Sequence, residues 1–388
     1  MKRIAYIQYT NPALYPPLEH SSQILASHGW PVLFLGIGAL GADANAIRFA
    51  KFPGIRVRQL RYCPPGWRQK FHYLWYAAWA TGWVLAWRPA WIYVSDLLAC
   101  PVGLLLSYVP FLRVIYHEHD SPSPTETQSG FIAFALWARR KLARRAALSV
   151  LPNQQRVQRF TAEMGNGVMT ACVWNCPLTK EVSDPRAAVN GARIWVLYHG
   201  TIVPPRLPLA VIEALRLLPK RVGLRIVGYE TIGHLGYSRT LRETAERLGV
   251  GHRLDLRSSV PRRHDLFEVC RHCDIGLTFM PKDSTDLNEQ NMTGASNKAF
   301  DYLTCGLPVL VSDLPDWRTM YVDTGVGLAC DPDDPASIAA AVQWFLDHPD
   351  TMRAMGERGR KQILAEWHYE KQFQPVLDVL ASSQPPAP

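Results

Sequence analysis

The residues best placed to do chemistry lie between 294 and 327, in GASNKAFDYLTCGLPVLVSDLPDWRTMYVDTGVG. Ser296 is a good helix N-cap, Asn297 opens the helix, Gly306 stops it and Pro308 starts a strand. A helix N-terminus with free amides is a ready phosphate site. Asn297 and Asp301 are four residues apart and share one helix face. A diphosphate could rest on the helix tip while Asp301, one turn in, accepts hydrogen bonds from ribose hydroxyls. Gly294 would let the backbone approach such a ligand closely. A plainer reading of the same residues makes Asp301 a surface charge and Ser296 a cap. On these residues alone, both readings stand.

A second constellation is YHEHD, Tyr116 to Asp120, directly after a predicted strand. His117 and His119, with Asp120 beside them, would then lie beyond the carboxyl end of that strand, where ligands of such sheets bind. Two histidines flanked by Glu118 and Asp120 could instead hold a metal, or form an exposed polar loop. No metal and no cofactor are expected. Cys270 and Cys273 form a lone C-x-x-C with no second pair at zinc-ligand spacing. The other six of the eight cysteines read as reduced core residues, as in the cytosol.

These groups need elements to hold them. Apolar runs at Ile4–Gln8, Pro31–Leu35, Ile55–Leu60, Trp91–Ser95, Arg113–Tyr116 and Leu148–Leu151 predict strands. Helical patterns at Leu18–His28, Lys70–Trp87 and Phe131–Arg145 alternate with them. The alternation restarts at Ile194–Tyr198 and runs to Gly327–Ala329, and three helices follow. Continuous apolar strands between helices predict parallel sheets covered on both faces. The fold class is therefore α/β, with two Rossmann-like doubly wound domains facing a cleft. The expected domains are 1–180, 193–366 and a helix at 367–380 packing back on the first. The polar stretch TKEVSDPRAAVNGA between the first two reads as a linker.

The formal net charge of +9 suits an anionic partner. Arg139, Arg140, Lys141, Arg144 and Arg145 cluster within seven residues, as a solvated helix face or a membrane-facing one. No nucleic-acid-binding motif accompanies the charge, so nucleic acid is not an expected partner. The segment from Trp67 to Trp91 holds Trp75, Trp79, Trp83 and Trp87 between Lys/Arg-rich ends. It reads either as a buried helix or as an interfacial one in contact with an anionic membrane surface. The N-terminal MKRIAYIQYTNPAL alternates like a strand and does not read as a signal peptide.

The run SNKAFDYLTCGLPVLVSD, followed by Gly325, Gly327 and DPDDPASIAAAV, resembles the donor-site signature of glycosyltransferase family 4. The resemblance is detailed over about fifty residues, and the strand–helix order agrees over nearly the whole chain. It implies a type B glycosyltransferase fold, a nucleotide-diphosphate sugar donor held mainly by the C-terminal domain, and retention of anomeric configuration. It also implies that Asp301 binds the ribose, that Gly200 and Thr201 of HGTIVPPR approach the phosphates, and that Gly228 ends a strand at the donor. Val260 would lie near the base, and a histidine of YHEHD near the donor sugar, His119 in the first place and His117 in the second. Asn153, Arg156, Asn175 and Pro177 match the family's P-N-x-x-R and N-x-P pieces.

The chain departs from that pattern at several places. Thr293 stands where many members carry the first of two glutamates, and Glu289 is at the wrong spacing. Thr201 and Leu207 stand where an Arg and a Lys are frequent. Arg206 and Lys298 are the cations left to meet a diphosphate. The loop TNPALYPPLEH replaces the usual glycine pair. The expected function is transfer of a sugar, from a UDP-sugar by the commonest usage, to a glycan or lipid-linked acceptor in polysaccharide or glycoconjugate synthesis. The expected location is cytoplasmic, peripheral on the inner face of the membrane. The rival readings are a nucleotide-sugar epimerase of the same fold and a non-catalytic nucleotide-sugar-binding paralogue.

Overall fold

The computed structural model describes residues 2–41, 45–122, 130–165, 167–184 and 193–382. The chain divides into two compact units. The first comprises residues 1–175, 286–295 and 369–388; the second, 176–285 and 296–368.

The first unit is built on seven parallel strands: β1 (Ile4–Ile7), β2 (Val32–Ile37), β3 (Ile55–Leu60), β4 (Trp91–Ser95), β5 (Arg113–His117), β6 (Leu148–Leu151) and β7 (Thr170–Cys172). Their order is β3-β2-β1-β4-β5-β6-β7, so the strand order reverses between β1 and β4. The central strands are continuous apolar runs because helices cover both faces. β3 is the edge strand, and its exposed Arg56, Arg58 and Gln59 protect an open ladder from pairing with another chain. The helices are α1 (Pro16–Ser27), α2 (Trp67–Trp87), α3 (Cys100–Leu106), α4 (Gly130–Ala143) and α5 (Gln154–Met164). α2 begins three residues before the predicted Lys70, directly after Gly66, whose φ of 139° ends the preceding loop. α5 is capped by the Asn153 side chain, which accepts from the amides of Gln155 and Arg156.

The second unit holds six parallel strands: β8 (Ile194–Thr201), β9 (Val222–Tyr229), β10 (Leu254–Ser258), β11 (Ile275–Thr278), β12 (Val309–Ser312) and β13 (Gly327–Cys330). Their order is β10-β9-β8-β11-β12-β13, reversing between β8 and β11. The helices are α6 (Ala210–Leu217), α7 (Tyr237–Arg247), α8 (Arg263–Arg271), α9 (Leu287–Gln290), α10 (Asn297–Thr304), α11 (Pro335–Asp347) and α12 (Pro349–Ala365), of which α9 belongs to the first unit. The predicted closing helix is two short ones, α13 (Tyr369–Gln372) and α14 (Gln374–Ser382), both in the first unit. Of the predicted linker, residues 185–192 lie outside the described residues. Ligand sites in such sheets form beyond the carboxyl ends of the strands, at the point of reversal. That points to the ends of β1, β4 and β5 in one unit and of β8 and β11 in the other.

Candidate functional site

In the second unit β8 ends on His199, Gly200 and Thr201. Gly200 has φ 103°, a conformation that side chains resist. It is also crowded: a Cβ there would lie 3.2 Å from Cε and 3.3 Å from Nζ of Lys298. Gly228, the partner of Gly200 across the ladder, is glycine for a packing reason. A Cβ on it would fall 1.9 Å from the Gly200 carbonyl oxygen.

Lys298, in the first turn of α10, is buried and makes no hydrogen bond or ion pair among the described residues. Burial, and then the nearby Arg206, push its ammonium down to about 7. Asp301 opposes that shift in part, and Nζ lies 5.6 Å from the centroid of the Tyr198 ring. The buried Nε of Arg206 also lacks a partner. Ser296 occupies the N-cap position of α10, but its hydroxyl makes no cap hydrogen bond. That oxygen and Asn297 Oδ1 are buried without partners. Buried polar atoms left unpaired are costly, and one helix tip carries several of them beside Lys298 and Arg206, two cations with no ion pair among the described residues. The arrangement can accept an anion with several oxygens. Val260 lies in the loop between β10 and α8, half-buried, beside Ser259, whose buried hydroxyl is likewise unpaired.

Asp301 is not a surface charge; it is 2% exposed. Nη2 of Arg263 donates to its Oδ1 at 2.8 Å, while Nε of Arg263 donates to Glu181 at 2.9 Å. The two carboxylates hold the guanidinium fully charged against its burial. His199 Nε2 lies 3.4 Å from the other Asp301 oxygen, without hydrogen-bond geometry. Burial, with Lys298 and Arg263 nearby, keeps the His199 ring neutral. Its amide donates to the Tyr302 hydroxyl at 3.0 Å, tying β8 to α10. His199 and Arg263 escaped the sequence reading. His199 could have been suspected from its place before Gly200, but the adjacent Arg262 and Arg263 gave no sign of which turns inward.

In the first unit, His117 and His119 sit at the end of β5, with ring centroids 3.8 Å apart. Tyr93 Oη lies 2.7 Å from His117 Nδ1. Both ring nitrogens of His119 are buried and unpartnered. Burial, and secondarily Arg156, lower His119 to about 3, so the ring is neutral in ordinary buffers. Asp96, after β4, has φ 65°, which is uncommon for a side-chain-bearing residue, and its Oδ1 accepts from the His119 amide at 2.9 Å. Burial first, then Asp120, raise its carboxyl well above the usual range. Gln8 Oε1 and Ser95 Oγ, at the ends of β1 and β4, are also buried and unpaired. Asp96 carried no signal in the sequence.

The carboxylates of YHEHD do not converge on the histidines. Glu118 turns the other way, accepting from Arg139 Nη2 at 3.0 Å and from the Tyr116 hydroxyl at 2.8 Å, while Asp120 is exposed. Among the described residues no group of three His, Cys, Asp or Glu could hold a metal. Arg139 is consequently buried and removed from the basic cluster of 139–145. It lines a cavity of about 410 Å³ with Glu118, Arg140, Arg156, Arg159 and Glu163.

Asn153, Arg156 and Asn175 share one task. Arg156 donates to the carbonyls of His119, Asn288 and Asn291 at 2.7, 2.9 and 3.0 Å. Asn153 Nδ2 donates to Thr293 O at 2.5 Å, and Asn175 Nδ2 to Ala295 O at 2.6 Å. Together they fasten residues 286–295 to the first unit. The close approach at Gly294 (φ 78°) is made by Trp174, whose Cδ1 lies 2.6 Å from where a Cβ would sit. The sequence reading had expected a ligand there.

Residues 209–378 match the model of a family described as glycosyl transferase-like. No curated protein matches the chain. Among solved structures, HepE from Anabaena in complex with UDP and glucose aligns at 16% identity and TM-score 0.72, covering 98% of this chain and all of that one. Sucrose-phosphate synthase from Thermosynechococcus elongatus aligns at 16% identity and TM-score 0.72, over 99% and 100%. WaaG, a glycosyltransferase involved in lipopolysaccharide biosynthesis, aligns at 13% identity and TM-score 0.68, over 97% and 99%. Both units thus carry the type B glycosyltransferase fold, and residues 209–378 are similar in sequence to a glycosyl transferase-like family.

Proposed function

We propose that this chain is a glycosyltransferase that takes a sugar from a nucleoside diphosphate, UDP in the first instance, and passes it to a hydroxyl of a glycan or lipid-linked acceptor. The observation that carries the reading is a pair of neighbouring cations, Lys298 and Arg206, which form no ion pair among the described residues and stand by the tip of α10 and Gly200 with unpaired buried groups around them. A diphosphate supplies the missing negative charge and the acceptors for the unpaired groups. In the reaction the bond from the anomeric carbon to the diphosphate oxygen breaks and one to the acceptor oxygen forms. The acceptor proton passes to the departing phosphate. Charge grows on that phosphate in the transition state, and preorganised cations and amides stabilise it best when little water intervenes. Lys298, Arg206 and the amides at Gly200, Thr201 and Ser296 take that role, and Val260 flanks the base. With retention, as the resemblance to family 4 implies, no strong enzymic base is needed.

Asp301 accepts from Arg263 through Oδ1, and its carboxylate is assigned to the ribose hydroxyls. In the first unit the neutral ring of His119, with His117 and Asp120 nearby, is assigned to sugar hydroxyls. The work belongs to polysaccharide or glycoconjugate synthesis on the cytoplasmic side of a membrane. Release of UDP from UDP-sugars, measured with wild type and with Arg206→Ala, tests the reading. Loss of about two orders of magnitude in turnover with unchanged melting supports it. Unchanged turnover would remove Arg206 from the mechanism.

A further inference from the structure

α2, α3 and α4 form one outer layer of the first unit. α3 packs against both of the others, and Tyr73 of α2 meets Phe131 of α4 edge-on at 4.7 Å. A helix covering a sheet ordinarily turns a charged face to water. α2 does not. Only Tyr73, Tyr76, Ala80 and Val84 are buried, and no charged residue occurs from Phe71 to Trp87. Trp67, Phe71, Leu74 and Trp75 are 61–68% exposed, spaced to form one stripe. α4 adds Phe134 and Trp137, each about half exposed, and Leu105 and Tyr108 stand out at the end of α3. Contiguous exposed apolar surface of this kind marks an interaction site.

The charge around it has one sign. Residues 45–95 contain eight Lys or Arg and not one Asp or Glu. Residues 130–147 contain no carboxylate and four exposed Lys or Arg, since the fifth, Arg139, is buried against Glu118. Arg68 stacks over Trp67, Arg58 over Trp83 and Arg145 over Tyr108, at 5.4, 5.6 and 4.1 Å from the ring centroids. Aromatic side chains with guanidinium groups at their edges suit the boundary between acyl chains and anionic headgroups. Among the described residues no helix is long and apolar enough to cross a membrane.

The geometry points to this layer as a docking surface for an anionic lipid bilayer: Trp67, Phe71, Leu74 and Trp75 enter the headgroup boundary, and the predominantly basic rim meets the phosphates. The surface goes beyond the donor reading and does not depend on it.

The test is flotation of the full chain with phosphatidylcholine vesicles, with and without phosphatidylglycerol, at low and high salt. The protein floats only with the anionic vesicles, and high salt releases it. Trp67→Ser/Phe71→Ser/Trp75→Ser abolishes flotation, and Arg56→Gln/Arg58→Gln/Arg68→Gln weakens it by about fivefold per charge removed. Melting curves taken without nucleotide show whether either variant still folds. A folded aromatic variant that floats like wild type overturns the proposal, as does equal binding to neutral and anionic vesicles. A concentration-dependent dimer that the aromatic variant abolishes, in a chain that ignores vesicles, gives the face to a second copy instead. UDP binding is measured separately, so its failure leaves the flotation result intact.

Discussion

Lys298 is packed against Gly200 so closely that any side chain at residue 200 would meet its Cε and Nζ at 3.2 and 3.3 Å. The contact brings together the end of β8 and the first turn of α10, and leaves the ammonium without an ion pair among the described residues, with Asp301 only partly offsetting Arg206 and burial.

Gly200→Ala is therefore expected to act twice. The left-handed backbone costs about 1–3 kcal/mol for a side-chain-bearing residue, and the methyl group displaces Lys298. The melting temperature falls, and the stabilisation given by added UDP falls with it. Thermal melts with and without UDP read both effects.

Lys298 links binding to pH. Its folded pKa of about 7 lies below its usual range, so the unfolded chain binds more protons across the interval between them. The cost of the buried charge is fully present below pH 7 and is relieved as pH rises towards the ordinary lysine range. Lys298→Met removes this cost, so it melts higher than wild type at neutral pH while losing UDP affinity. An anion beside Lys298 raises its pKa, so UDP affinity in wild type is greatest below pH 7 and declines above it. Calorimetric titrations at several pH values measure the slope, which the methionine variant lacks.

Arg263 and Asp301 form a buried pair whose halves are costly when single. Asp301→Leu or Arg263→Met alone is expected to lose about 3–5 kcal/mol. The double change Arg263→Met/Asp301→Leu loses less than either, although Glu181 then needs water. Urea melts of the three variants give the coupling, and additive losses would contradict the pairing.

Arg156 holds residues 286–295 through two of their backbone carbonyls. Arg156→Ala is expected to leave both sheets intact but to speed hydrogen exchange in that segment by one to two orders of magnitude, since each lost bond is worth about 1 kcal/mol or more. Exchange followed by mass spectrometry checks it peptide by peptide.

Much of this was visible in the residues. Apolar runs such as Ile4–Ile7 and Val32–Ile37 could only be strands covered on both faces, and Ser296–Asn297 with Gly306 marked the helix that carries the site. Other features depend on partners distant in sequence. Nothing near Asn153 or Arg156 announces that their side chains bind carbonyls more than a hundred residues away. Asp301 has the same spacing from Asn297 whether it meets solvent or Arg263. A helix that is apolar all round, like α2, reads the same whether its outer face meets protein or lipid. The turn of Glu118 towards Arg139 is decided by packing on α4, which the motif YHEHD does not contain.

The central claim is a nucleoside-diphosphate site built on Gly200, Arg206, Lys298 and the tip of α10. Thermal shift against a panel of nucleoside diphosphates and their sugars, with a chelator present, tests it most directly. The account predicts that one nucleotide family raises the melting temperature of wild type, and that Lys298→Met, though folded, shows no shift. No shift with any nucleotide, or an equal shift in the variant, would contradict it.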